Sequence, residues 1–339
     1  MNIYPANSQA KIVAILTVIL LVITVLSFSI GRYSIPVNSL LRFLVTGAYI
    51  DENLPVIALQ IRLPRILIAI LTGGALSVAG ATYQGLFRNP VVSPDILGVS
   101  AGAGFGAAIA ILLSAGLAMI QISAFATGIG AVVLSMFICR AMVANHDRLL
   151  LLVLAGMIVS SMFGALISLT KYVADSESRL PEITFWLMGS LARVTMQEVW
   201  FVLPVVLVSL IPLLLNSWKI NILAFGEEDA KTLGLNTARL RITLICCASL
   251  LTASVVSVTG IIGWIGLIIP HFMRFIVGPD HRRLLPASFL AGASFLLLVD
   301  DFARSVSMLE IPIGIITAII GAPILFIVLK ISPSNHHKM

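Results

Sequence analysis

Ten long apolar runs constrain this chain more than any other feature. They fall at 12–31, 64–84, 96–115, 120–140, 149–170, 199–217, 240–259, 261–277, 285–303 and 312–330. A bilayer core of about 30 Å takes roughly 20 helical residues at about 1.5 Å each, which is the length of these runs. In hydrocarbon every backbone N–H and C=O must be satisfied within its own segment or a closed barrel, and no alternating strand pattern is present here. The expectation is an all-α membrane protein, a polytopic bundle of about ten transmembrane helices. No stretch is left over for a soluble domain, so 1–339 reads as one transmembrane domain. The run 261–277 follows its predecessor with almost no loop and contains Pro270. The first run has only Lys11 before it and no small-x-small cleavage site before Gly31 and Arg32. A cleaved signal core is shorter, about 7–15 residues, so this run is read as a retained helix, with a signal anchor as the alternative.

Composition agrees. The chain is 59% hydrophobic and 11% charged, whereas soluble domains are roughly a quarter charged. With ten spans and the N-terminus inside, thirteen of the 21 Lys and Arg residues, Lys338 among them, fall on the side of the termini. The other side holds Arg32, Arg42, Arg62, Arg65, Lys171, Arg179, Arg193 and Arg304. The positive-inside rule then puts both termini in the cytoplasm. The same rule accounts for the net charge of +6 without nucleic acid as a partner. Cys139, Cys246 and Cys247 lie in or at the ends of runs and read as small packing residues, with no metal-ligand spacing.

Between runs, the apolar patches 39–45 and 183–191 predict short interfacial helices, with Trp186 and Trp200 near headgroups. Small residues recur every four positions at Gly98, Gly102, Gly106 and at Gly156, Ser160, Gly164, a pattern that lets helices approach closely. Segments 71–80 and 251–260 share five of ten residues. They sit in spans two and seven, and so run in opposite directions, as an inverted repeat of five helices would require. Chance likeness between small-residue helices is the other explanation.

The chemistry the chain lacks is equally informative. There is no Gly-Lys-Ser or Gly-Lys-Thr for a phosphate-binding loop, no His-Glu-x-x-His, and nothing that calls for a metal or cofactor. Gly98-Val-Ser-Ala-Gly102 matches a nucleophile elbow only in letters, because it lies in a helical ladder rather than a strand-to-helix turn. Ionisable groups within the runs are few. Asp300, Asp301 and Arg304 form the main cluster, so an ion-coupled secondary transporter is a weakly supported alternative. If such a chain moves solute uphill, its energy must come from another subunit. The segment 218–239 offers a place for one. Gly226 opens it, Glu227, Glu228 and Asp229 suit a first helical turn, and Gly234 suits a C-terminal cap. Ala230, Leu233 and Leu235 would give the helix an apolar edge. A helix shaped for a partner's groove and a plain loop helix fit these residues equally well.

Three blocks of residues resemble a known family, the binding-protein-dependent ABC permeases for iron–siderophores, haem and cobalamin, often called the FecCD family. They are Arg62-Leu-Pro-Arg65 through Gly80-Ala-Thr-Tyr-Gln-Gly-Leu-Phe-Arg-Asn-Pro90 to Leu97-Gly-Val-Ser100; Gly226-Glu with Thr232-Leu-Gly234; and Gly263-Trp-Ile-Gly-Leu-Ile-Ile-Pro-His-Phe-Met-Arg274, continuing to Pro323. The resemblance covers nearly the whole chain in order. It implies the type II ABC importer permease architecture in a bacterial cytoplasmic membrane. It also implies a second permease subunit (identical or different), two cytoplasmic ATP-binding subunits and an extracytoplasmic substrate-binding protein. ATP hydrolysis would then belong to another subunit, and this chain would not be an enzyme. By the same resemblance Gly226, Glu227, Ala230, Leu233 and Gly234 belong to the ATPase-coupling segment. Arg62, Arg65 and Arg304 match outer arginines that meet carboxylates on the binding protein, and Asn89 and Val91 match an inner gate loop. The expected cargo is an iron(III)–siderophore or similar complex, with molybdate or tungstate, haem and cobalamin as alternatives.

Overall fold

A computed structural model describes residues 6–31, 33, 35–47, 52–142, 148–306 and 310–331. Arg32 and Lys338, assigned above to sides of the membrane, lie outside these. The described residues form helices and turns with no strand. In chain order the helices are α1 (Ala6–Ser29), α2 (Val37–Thr46), α3 (Leu63–Leu86), α4 (Val99–Leu112), α5 (Leu117–Met142), α6 (Arg148–Val173) and α7 (Arg179–Leu187). There follow α8 (Met196–Leu215), α9 (Ser217–Phe225), α10 (Glu227–Thr232), α11 (Thr237–Thr259), α12 (Ile265–Val277), α13 (His281–Val306) and α14 (Ile313–Ile331). A π-helical stretch, Val56–Arg62, runs straight into α3, and a single 3-10 turn, Pro94–Leu97, precedes α4.

All ten apolar runs become helices. Seven are long and apolar enough to cross a membrane, and α4, α12 and part of α14 are shorter apolar helices. The shortening has local causes. The run at 96–115 gives its first residues to the 3-10 turn and to Gly98, whose φ of 82° cannot continue a helix. The run at 261–277 loses 261–264 to a non-helical segment between Gly260 (φ 71°) and Trp264 (φ 73°). Unwound backbone at such a depth needs protein partners. Here Thr259 O accepts from Ser190 N (2.8 Å), Gly189 O from Ile313 N (2.9 Å) and Met188 O from Gly314 N (3.1 Å). The ends of α7, α11 and α14 thus satisfy one another. The patches at 39–45 and 183–191 form α2 and α7, but α7 stops at Leu187 because Gly189 adopts a φ of 73°.

Helix α3 is the axis of the bundle. Nearly all of its residues from Pro64 to Leu86 are buried, and α8, α11, α12 and α13 pack around it. Close approach depends on glycine. A Cβ on Gly80 would land on the backbone carbonyl of Gly266 in α12, and one on Gly73 on that of Gly292 in α13. Tyr83, near the end of α3, hydrogen-bonds Ser249 Oγ at 2.7 Å near the middle of α11. The small-residue ladders divide. Gly102 and Gly106 press on Ser123 and Thr127 of α5, and Gly156 presses on Ile96 O, but Gly164 faces open space. Gly80→Ala therefore forces two backbones apart and is expected to cost about 1–3 kcal/mol or more, as overpacking does. Gly164→Ala should be neutral. The melting temperatures of the two purified variants in detergent check both expectations.

Candidate functional site

At one end of the bundle, α3 gives way to the loop 87–93. Arg88 takes a φ of 51°, and Asn89 Oδ1 accepts from Val91 N at 3.0 Å, closing a tight side-chain turn. Gln84, itself buried, holds the loop from below: its amide donates to Val92 O (3.3 Å) and to Leu267 O of α12 (3.1 Å). The loop is thus pinned at Val92, whereas Asn89 and Val91 stay exposed.

At the same end lies α10. Gly226, with φ 152°, breaks the chain between α9 and α10, and Gly234, with φ 78°, ends the turn after it. Gly234 N donates to Lys231 O (2.9 Å) and Leu235 N to Ala230 O (3.0 Å), so the last carbonyls are capped. The expected apolar edge is not formed as a unit. Ala230 is fully buried against this chain's own core and Leu235 is half-buried, while Leu233 is 66% exposed. A six-residue helix lying flat on the bundle must turn one side inward, and Ala230, whose single methyl fits against α9 and α11, occupies it. What remains outward is Glu228, Asp229 and Leu233. Glu227 fastens the helix: it accepts from Arg241 (2.8 Å) and Lys231 (3.1 Å), with Thr237 Oγ1 at 3.3 Å. Partial burial disfavours its charge, but the hydrogen bond from Lys231 and the field of Arg241 outweigh that and hold it below the usual carboxylate range.

A cavity of about 800 Å³ separates the loop from α10. Arg88, Asn89 and Val91 line one side, Gly226, Glu227, Glu228 and Asp229 another, and Leu149, Leu150 and Val153 of α6 a third. Of the residues named from the sequence, Asn89, Val91, Gly226 and Glu227 share this chamber, whereas Ala230, Leu233 and Gly234 do not line it.

The three outer arginines meet at the opposite end, but inside the bundle rather than on its surface. Arg62, Arg65 and Arg304 are 4%, 7% and 6% exposed. Arg65 clasps the fully buried Asp300 through Nε (2.9 Å) and Nη2 (2.8 Å), and its Nη1 reaches Glu310 at 2.9 Å. Arg304 pairs with Asp301 and donates to Ser27 O (2.6 Å), while Ser27 Oγ donates to Asp301 (2.6 Å). Arg62 donates to the carbonyls of Phe28 and Tyr33. The network joins α1, α3 and α13 with the residue ahead of α14. Asp300 and Asp301, the paired carboxylates singled out as a conceivable ion relay, are both engaged by arginines. Glu310 and Ser27 are members the sequence reading missed. A polar residue facing charged spans was the available signal, because groups in hydrocarbon need partners.

The profile described as the FecCD transport family matches residues 19–330. The chain is 43% identical over 322 residues to the molybdate import system permease protein MolB of Haemophilus influenzae, covering 94% of this chain and 95% of that one. It is 41% identical over 283 residues to the cobalamin import system permease protein BtuC of Halobacterium salinarum, covering 83% and 75%. A solved inward-facing structure, described as a metal-chelate type ABC transporter, superimposes with a TM-score of 0.86 at 40% identity, covering 95% of this chain and 99% of the other.

Proposed function

Since the chain belongs to the FecCD transport family, we propose that it is the membrane-spanning permease subunit of a binding-protein-dependent ABC importer, working with a second permease subunit, two cytoplasmic ATP-binding subunits and an extracytoplasmic binding protein. The observation that carries this is the shared chamber. Asn89 and Val91 on the loop after α3 face the same 800 Å³ space as Gly226, Glu227, Glu228 and Asp229 at the start of α10, so a partner that moves α10 also reshapes the loop. In this proposal the α10 end is cytoplasmic and the arginine end faces the binding protein. Arg62, Arg65 and Arg304 then act toward that protein by exchange rather than as free charges. An incoming carboxylate reaches Arg65 by displacing Glu310, which is 25% exposed, because Asp300 is completely enclosed.

For cargo, 43% identity over nearly the full length of a molybdate permease favours a compact metal oxyanion over the iron complex expected from the sequence. An iron chelate is the second reading, favoured by the superposition on a metal-chelate type transporter. Uptake into proteoliposomes tests both readings, using labelled molybdate or ferric chelate with the partners omitted one at a time. The lone chain is expected neither to hydrolyse ATP nor to accumulate cargo, and the complete set to do both. Accumulation by the lone chain under a proton or sodium gradient would overturn the proposal in favour of a secondary transporter.

A further inference from the structure

A second cavity, of about 540 Å³, opens on the other side of the loop after α3. Its walls are Arg88, Asn89 and Pro90 of the loop, Asn221 and Phe225 of α9, Arg274 of α12, and the turn Pro279, Asp280, His281. Two of its charges have no counterion: among the described residues neither Arg88 nor Arg274 makes a side-chain hydrogen bond or ion pair, and Arg274 is partly buried. Asp280 is the one carboxylate in the wall, and it is already engaged. Arg282 holds it through Nη2 (2.8 Å) and Nε (3.1 Å), and Asn221 Nδ2 donates to it at 2.6 Å. Burial raises its cost of ionisation, but these bonds outweigh that and hold it at about 2. Asn221 is fixed in turn, since its Oδ1 accepts from His281 N (2.9 Å) and faces Nδ1 (2.8 Å). The Asp280 carboxylate is therefore satisfied by Arg282 and Asn221, leaving the exposed Arg88 and the half-buried Arg274 as the unpaired charges on the wall of a largely apolar chamber.

We propose that this chamber binds a small tetrahedral oxyanion, held by Arg274 and Arg88. A half-buried guanidinium without a partner is costly, and its planar fork of donors matches two oxygens of such an anion. The anion has two possible sources with the same chemistry: an oxyanion free in solution, or the phosphate of a lipid headgroup. The site rests on the cavity alone, and its test reads binding rather than uptake, so its failure leaves the permease proposal standing.

The test is the melting temperature of the purified full chain in detergent, with molybdate, sulfate or phosphate added against chloride of equal ionic strength. A second arm uses nanodiscs of phosphatidylcholine with and without phosphatidylglycerol. Ligand that binds only the folded state raises the melting temperature with concentration. The wild type is expected to respond to free oxyanion, to the anionic lipid, or to both, and the responding arm names the source. Arg274→Gln should lose the response, with apparent affinity falling at least about tenfold, while its unliganded melting temperature stays level or rises because an uncompensated charge is gone. Arg274→Lys should keep part of the response, and Arg140→Gln, an exposed control on α5, all of it. No response in either arm would overturn the proposal. So would an Arg274→Gln variant that melts lower yet responds like the wild type.

Discussion

Asp300→Ala is expected to cost the folded bundle about 3–5 kcal/mol, the range for removing one partner of a buried ion pair. Asp300 has no exposed side-chain surface, and it satisfies two donors of Arg65 at 2.8 Å and 2.9 Å. Without it, that guanidinium is left in the interior with Glu310 alone, and Arg304 loses a second carboxylate 3.9 Å away. Total stabilities of about 5–15 kcal/mol leave little room for such a loss. The variant should yield little monodisperse protein after extraction. The double change Arg65→Met, Asp300→Leu should recover most of the yield, since replacing a whole buried pair by apolar groups is often neutral. Recovery gives a folded protein without Arg65, in which salt-dependent association with the binding protein can be measured. Reduced, less salt-sensitive association would support the exchange role of Arg65, and unchanged association would remove it. A melting temperature for Asp300→Ala equal to the wild type would refute the network's structural role.

The ten helices could be read from the sequence because hydrocarbon demands long apolar runs, although among the described residues only seven keep a length that crosses a membrane. The ends of α10 were legible for a different reason: Gly226 and Gly234 occupy backbone angles of φ 152° and 78° that ordinary side chains rarely adopt. Its facing was not legible. A helix of six residues has too few turns to fix a phase, so Ala230 could be placed on the partner's side when it belongs to the core. The outer arginines show the same limit at longer range. Arg65 and Asp300 are separated by 235 residues, and nothing local says that they share an interior. Two carboxylates and an arginine within one span read as a conceivable ion-coupling cluster, whereas each is engaged by partners within the bundle. The truncation of α12 was the least visible feature, because 261–264 is as apolar as the helix that follows. Its cause is two positive φ angles at Gly260 and Trp264.

Glu227→Arg is expected to reduce ATP-driven uptake by more than tenfold while leaving the bundle folded. Its carboxylate is 35% exposed, and exposed pairs of this kind contribute only about 0–1 kcal/mol to stability. What the pair determines is position. Arg241 at 2.8 Å fixes the first turn of α10 to the start of α11, directly after the break at Gly226, while Lys231 at 3.1 Å braces that turn from within α10. Charge reversal would place three cations together there and swing α10 off the wall that it shares with Asn89 and Val91. An ATPase could still bind nucleotide, but its closure would no longer reach the loop. Gly234→Pro should act similarly, since proline cannot adopt a φ of 78° and cannot supply the N–H that now caps Lys231 O at 2.9 Å. The charge swap Glu227→Arg with Arg241→Glu separates anchoring from direct recognition. Restored uptake would mean that the pair acts by holding α10 in place, whereas a folded but inactive swap would mean that the ATPase reads Glu227 itself. Wild-type uptake by Glu227→Arg alone, measured in proteoliposomes with all partners present, would show that α10 does not transmit the stroke.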